Sequence, residues 1–395
     1  MLSWLAPIIV FGLVVFVHEL GHFIAAKLTG VYAPRFSIGF GPALIKKRFG
    51  ETEYVLAALP LGGYVRMASR EDEATAFLEG GSENSATKAE NPKDGYDPNA
   101  MIPFGPKPIP ESRWFESKPL IARLFIMLAG VTMNALLAYF IYVGLLLHSG
   151  MPTPVPIAAA VTAGKPAEAA GIQVGDSIAT LNGRPLTSWE TLLDTIGASA
   201  GRQLELGVVR KGQTLDIRVT PAAENVVDPR TGTKQSLGRI GMAASEGFTP
   251  ISVGQAFGAA WGITIDNGSR IFGALNGLAH GVGVSDLGGP IAIAQVSVQA
   301  ARGGIETLLL LVALISINVA VFNLLPIPIL DGGQILLNIA ETIKGSAFST
   351  QTRERILKGG LLIIGLLFVT VMFNDISRNM QSIVRFFGRI FGQSG

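Results

Sequence analysis

Residues 16–27 read FVHELGHFIAAK, and the fold turns on how this stretch is read. It closes an apolar run: no charged residue stands between Leu2 and Val17, and then His18, Glu19 and His22 arrive together, with the first lysine at Lys27. An ionised carboxylate at mid-bilayer costs about 2.5–3.5 kcal/mol on insertion scales. The charge therefore belongs either to a soluble core or to a membrane helix whose partners compensate it. The H-E-x-x-H spacing supplies such partners. On a helix, positions i and i+4 share a face, so His18 and His22 present two imidazoles one turn apart. Both can bind one Zn²⁺ and leave positions open for water, with Glu19 in reach of that water as general base.

Composition favours the membrane. The chain has 395 residues, 49% hydrophobic and 15% charged, against about 25% charged in soluble domains. A net charge of +2 gives no reason to expect nucleic acid as a partner. Cysteine is absent, so disulfides and thiolate ligands are excluded, and a metal must be held by His, Asp or Glu. Four apolar runs, roughly 4–28, 121–147, 305–325 and 359–374, are long enough to cross about 30 Å of hydrocarbon. The first has no basic n-region and no small-residue cleavage site, so it reads as a retained helix; cleavage would discard HELGH.

Lys and Arg orient these spans. None precedes the first span. Lys27, Arg35, Lys46, Lys47 and Arg48 follow it, Arg113, Lys118 and Arg123 precede the second, and Lys344, Arg353, Arg355 and Lys358 separate the third from the fourth. Those loops are expected in the cytoplasm, with the N-terminus and 148–304 outside. Arg378, Arg385 and Arg389 in the tail run against that rule. Ile376, Met380, Ile383, Val384, Phe387 and Phe391 fall near one helical face, which fits an amphipathic helix on the membrane surface. Residues 69–112 are acidic, polar and rich in Gly and Pro, and read as a flexible insertion.

A third ligand is required. A zinc pattern with a third histidine ten residues after the first needs His at position 28, which is Leu28. Glu51 and Glu53 are the next acids, but they follow RFSIGFGPALIKKRFG, which does not read as a helix. His148 and His280 flank apolar segments without ligand spacing and read as structural. There remains NLLPIPILDGGQ, residues 323–334. Pro326 and Pro328 deny it a regular helix, and Gly332-Gly333 allows a turn. Asp331 stands at the mouth of this broken span, where irregular backbone lines a cavity rather than meeting lipid. The expected centre is His18, His22 and Asp331 around one Zn²⁺ per chain, with Glu19 beside it.

With these motifs in place the sequence resembles the site-2 protease family of intramembrane zinc metalloproteases. The likeness is greatest to the bacterial branch that cleaves membrane-anchored anti-sigma factors, the regulator-of-sigma-E protease type. HELGH matches the family's first-span motif, and NLLPIPILDGG its N-x-x-P-x-P-x-L-D-G motif. FSIGFGP (36–42) and PLGGYVRM (60–67) resemble its membrane-associated β segments, and LGGPIAIAQ (287–295) the segment before the third span. There are departures. Val131 stands where the family often has Pro, which straightens the second span, and Gln334 stands where many members have His. AEAAGIQVGDSIATLNGRPLTSWETLLDTI resembles the PDZ signature, and there is room for one such domain where the branch often has two. Within it Asn182-Gly183 is a hairpin turn, and two β runs flank Lys211-Gly212.

The resemblance implies a polytopic α-helical membrane protein of about four transmembrane helices, with a membrane-associated β hairpin or sheet and one inserted extracytoplasmic PDZ domain of α+β type. The expected division is 1–30 first span, 31–68 β region, 69–119 cytoplasmic insertion, 120–148 second span and 155–221 PDZ. It continues with 222–304 linker, strand and membrane-surface helices, 305–334 third span, 335–358 cytoplasmic loop, 359–375 fourth span and 376–395 amphipathic tail. Implied substrates are single-span proteins of the bacterial inner membrane, such as an anti-sigma factor after a first cut, or signal-peptide remnants. The PDZ groove binds an extended peptide, or the domain only restricts access sterically.

A substrate helix must unwind before water can attack it, and its extended backbone must be held. YVLAALPLGGYVRM offers a strand through Leu56, Ala57, Ala58 and Leu59 and a turn at Gly62-Gly63. Asn318 and Asn323 on the third span offer amides for the substrate carbonyl or the oxyanion, whereas Asn134 in the second reads as a contact between helices. Two other functions are weaker. A metal transporter needs more intramembrane ligands than these, and a catalytically inactive PDZ-bearing scaffold has no use for an intact Glu19.

Overall fold

The computed structural model describes residues 3–69, 110–227, 234–279 and 289–391. The expected insertion, 69–119, lies largely outside these described residues, as do His280 and the last four residues of the tail. The chain forms two compact units: Met1–Leu145 with Phe257–Gly395, and Leu146–Ala256.

The first unit opens with α1 (Ala6–Leu28). Val10, Val14, His18, Gly21, His22 and Ala25 are buried, which is one face at i, i+4 spacing. Ile8, Ile9, Leu13, Ile24 and Leu28 on its other sides are exposed. A soluble helix would be polar there; an apolar outer surface is what lipid requires. Strands β1 (Arg35–Phe49) and β2 (Thr52–Arg66) follow as antiparallel partners. Their register folds them back on themselves, so that residues 35–38 lie between 53–56 and 63–66 of β2.

The turn between the strands is tied to the end of α1. Glu51 pairs with Lys27 at 2.6 Å and with Arg113 at 2.9 Å. Hydrogen bonds from the Arg113 guanidinium, with Lys27 adding to them, hold the Glu51 carboxyl down at about 2. A depressed folded-state pKa contributes stability that is complete above the ordinary value of 4.5 and is lost as pH falls toward 2. Glu51→Gln is therefore expected to cost about 1 kcal/mol near neutrality, since the group is partly exposed. The gap between wild-type and variant thermal midpoints should close as pH falls through that window. Helix α2 (Leu120–Ser149) then runs unbroken through Val131.

The second unit is mainly sheet. In chain order it holds β3 (Met151–Val161), the one-turn α3 (Pro166–Ala169), β4 (Ser177–Leu181), β5 (Arg184–Pro185) and α4 (Trp189–Ala198). It continues with β6 (Leu204–Arg210), β7 (Gln213–Val219), β8 (Ala222–Val227), β9 (Lys234–Arg239) and β10 (Met242–Thr249). The sheet order is β10-β3-β4-β6-β7, with β5 on β4 and a separate β8-β9 pair. Asn182-Gly183 and Lys211-Gly212 all have positive φ, as tight hairpin turns demand. Ile178, Leu192, Leu206, Val208 and Val219 fill the core. Ser188 caps α4 by accepting from Thr191 N. The unit extends past the expected boundary at 221 because β10 pairs with β3 along its whole length.

The first unit resumes within α5 (Val253–Ala279) and continues with α6 (Pro290–Gly303) and α7 (Ile305–Asn323). After a break come α8 (Asp331–Lys344) and α9 (Thr350–Phe391). Val10 and Val14 of α1 pack with Val312 and Ile315 of α7. Buried Asp375 of α9 accepts from the N–H groups of Ile291 and Ala292, capping α6, whose own N-cap is a glycine. The segment expected as a loop, 335–358, is mostly helical, and the fourth span and the tail form one continuous helix without a joint at 375. Among the described residues, four helical segments are long and apolar enough to cross a membrane: Ser3–Leu28, Leu120–Ser149, Ile305–Asn323 and Gln351–Arg378.

Candidate metal centre

His18 and His22 are 7% and 8% exposed, and their Nε2 atoms lie 3.1 Å apart. Asp331, the first residue of α8, brings Oδ2 to 3.2 Å from His18 Nε2 and 3.5 Å from His22 Nε2. The α7–α8 break places it there. Pro326 and Pro328 prevent α7 from continuing, and the first turn of α8 presses back on that loop. A Cβ on Gly332 would collide with the Leu324 carbonyl, and one on Gly333 with the Ile327 carbonyl. Gln334 braces the same loop, donating to Pro328 O at 2.7 Å.

This donor set fits a cation. His22 Nδ1–H donates to Ile126 O at 2.8 Å, so its Nε2 carries the lone pair. Asp331 Oδ2 is buried without a hydrogen-bond partner. Three ligand atoms converge within 4.8 Å of one another, and a positive ion is what makes such a gathering of lone pairs stable. Two imidazoles and a carboxylate with further positions open is a catalytic zinc set.

Glu19 lies on the same turn of α1, outside that triad. Val65 N–H hydrogen-bonds its carboxylate, and a Cβ on Gly63 would come to 3.2 Å from its Cγ. The end of β2 therefore lies against the general-base candidate. Asn323 Nδ2 stands 3.4 Å from His18 Nε2, while Asn318 is half-buried five residues earlier on α7.

Two details of the β2 expectation change. Gly62-Gly63 is no turn: β2 runs through it, with Gly62 at φ +141° and so close to the Phe40 ring that a Cβ there would strike it. Leu56 pairs with both Ile38 and Ile45, so the main chain of Leu56 already has neighbours on both sides. Ala57 pairs with Ala43 and Leu59 with Phe40. Residues 63–66 pair with 35–38 on one side, and this is the part of β2 next to Glu19. Glu51 and Glu53 are engaged elsewhere, Glu53 with Arg35 at 2.8 Å.

Gly130 is not among the site residues the sequence points to. A Cβ there would collide with His22 Nε2 and lie 2.8 Å from His18 Cε1. Gly21 meets the Ala129 carbonyl in the same way. The α1–α2 crossing is thus closest at the imidazoles, and the only trace in the sequence is a small-residue pair, Ala129-Gly130, in an apolar helix.

A family model described as peptidase family M50 matches residues 6–367. The regulator of sigma-W protease RasP of Bacillus subtilis is 31% identical over 423 residues, covering 95% of this chain and 98% of that protein. A zinc metalloprotease RasP of Bacillus licheniformis is 30% identical with the same coverage. A putative zinc metalloprotease of Brucella suis is 33% identical over 383 residues, 93% of each chain.

Proposed function

Since the chain belongs to peptidase family M50, we propose that it hydrolyses peptide bonds in or near the membrane-spanning segments of other proteins, with His18, His22 and Asp331 as its zinc ligands. It is a zinc metalloprotease of the site-2 type and a multi-pass membrane protein. The observation that carries the assignment of residues is the convergence of three lone-pair donors beside Glu19. Zinc, when bound, acidifies water and polarises the scissile carbonyl. The protein does the rest. Glu19 takes the proton from the attacking water and delivers it to the leaving amine. The Asn323 amide, at the edge of the site, donates to the oxygen on which charge develops. The spans exclude bulk water from these groups.

Substrate is held as an added strand on β2. Leu56–Leu59 stiffen the sheet, and the segment from Gly62 to Val65 offers its outer edge beside Glu19. Gly63→Ala is expected to lower turnover by about 10–10²-fold by shifting that edge, with bound zinc unchanged. Equal loss of zinc in this variant would instead mark Gly63 as part of the metal support.

In this reading residues 155–221 are the main part of a PDZ domain, and the strands after them, β9 and β10, complete its sheet and groove. The sheet order, the Asn182-Gly183 turn and a groove beside α4 lined by Trp189, Leu193, Leu237, Ile240 and Met242 support it. The groove takes an extended peptide or restricts access by size. The charge bias puts the N-terminus and this domain outside the bacterial inner membrane. Single-span substrates such as an anti-sigma factor are what the resemblance implies, and the name of the Bacillus subtilis relative, regulator of sigma-W protease, supports that reading.

The decisive experiment is metal analysis of the purified full chain. Wild type should carry about one zinc, and a His18→Ala, His22→Ala double variant none. Removing the metal should stop cleavage of a single-span test protein, and zinc should restore it. Stoichiometric zinc in the double variant would refute the ligand assignment.

A further inference from the structure

We propose that Asn134 is a positioning residue for the metal centre: its side-chain oxygen accepts the His18 Nδ1–H and holds that ring with its Nε2 lone pair toward the metal. The proposal rests on the zinc reading above and extends it into α2.

Asn134 is fully buried, and its side-chain nitrogen lies 3.4 Å from His18 Nδ1. With that nitrogen toward the ring, Asn134 Oδ1 is buried and has no partner. Leaving a buried acceptor unpaired is costly. Half a turn of the amide exchanges its two ends, which are chemically distinct and sterically equal. Oδ1 then accepts from Nδ1–H, the partner that ring needs once its Nε2 ligates a metal, and Nδ2 takes the other buried position. The proton is fixed on Nδ1, and Nε2 is left free to ligate. The other orientation puts the proton on Nε2, where the cation belongs.

His22 shows the same logic. Its Nδ1–H is held by the Ile126 carbonyl, two turns earlier on α2. One helix thus supplies both outer partners, a backbone carbonyl for one ring and a side-chain amide for the other. Apart from the ring contact, the Asn134 backbone carbonyl accepts from buried Ser316 Oγ of α7 at 2.8 Å, which ties the two helices together.

The test uses the purified full chain, with zinc affinity measured by chelator competition. Asn134→Leu should weaken zinc by about 10–100-fold, as loss of an outer hydrogen bond to a ligating histidine typically does. Asn134→Asp keeps an acceptor in place and should bind zinc within about threefold of wild type or tighter, since a carboxylate partner raises ligand basicity. Ser316→Ala removes the helix contact without touching the ring and should leave affinity unchanged. With four histidines in the chain, ¹⁵N-histidine labelling resolves His18, which should show the Nδ1–H tautomer in wild type and Asn134→Asp. Wild-type affinity in Asn134→Leu would overturn the proposal. So would equal weakening by Ser316→Ala, or an Nε2–H tautomer in zinc-loaded wild type. If wild type itself binds no zinc, the ligand assignment fails first and takes this proposal with it.

Discussion

Glu19→Gln is expected to lower single-turnover cleavage by about 10²–10⁴-fold, the usual contribution of a general base, and to leave the zinc content at the wild-type level. Glutamine has the shape of glutamate and keeps an oxygen to accept the Val65 N–H that reaches Glu19, so β2 should stay against α1. What it lacks is the capacity to take a proton. Glu19 also stands outside the triad of converging ligand atoms, so the metal has no reason to leave. Single-turnover conditions separate chemistry from product release, and zinc is measured on the same sample. Cleavage near the wild-type rate would remove Glu19 from the mechanism; loss of zinc would make it a ligand instead.

Gly130→Val is expected to abolish the metal centre without breaking α2. The new side chain would start where His22 Nε2 already stands and would press on His18 Cε1. Catalytic constellations tolerate about 0.5 Å of displacement, and two imidazoles pushed further than that no longer point their lone pairs at one locus. Zinc affinity should fall by more than about 10²-fold, and activity with it. Gly144→Val is the control, on the same helix, where an added Cβ meets nothing within 4 Å. It should fold, bind zinc and cleave. Full zinc occupancy in Gly130→Val would mean that α2 gives way more easily than its contacts with Gly21 suggest.

The sequence was legible where chemistry is written in a fixed spacing. His18, Glu19 and His22 announce themselves because a helix turns charge at i and i+4 into one face. Asp331 could be placed because Pro326, Pro328 and the two glycines after it mark broken backbone in an apolar run. Legibility ended where a role depends on what a neighbouring element brings. Gly130 matters only because α1 crosses α2 there, and nothing local says so. Gly62-Gly63 has the composition of a turn, yet pairing of 63–66 with 35–38 keeps it in a strand. β10, MAASEGFT, lacks apolar alternation and is a strand because β3 lies beside it. Asn134 was expected to bridge helices. It does so twice, its backbone carbonyl meeting Ser316 of α7 and its side chain meeting His18 of α1.

The wide separation of the ligands along the chain has a consequence for biogenesis. His22 leaves the ribosome about 310 residues before Asp331. At about 5–20 residues per second, roughly 15–60 s pass between the two. Throughout that interval α1 holds a histidine pair and a carboxylate but lacks the aspartate that completes the site. α2 arrives earlier, bringing the Ile126 carbonyl and the space beside Gly130, and so shapes a half-site that waits for the end of translation. With His18, His22 and Asp331 as the proposed ligands, a protease assembled in this order is expected to be inert while it is being made, and to become competent to cut membrane neighbours only after Asp331 has been inserted.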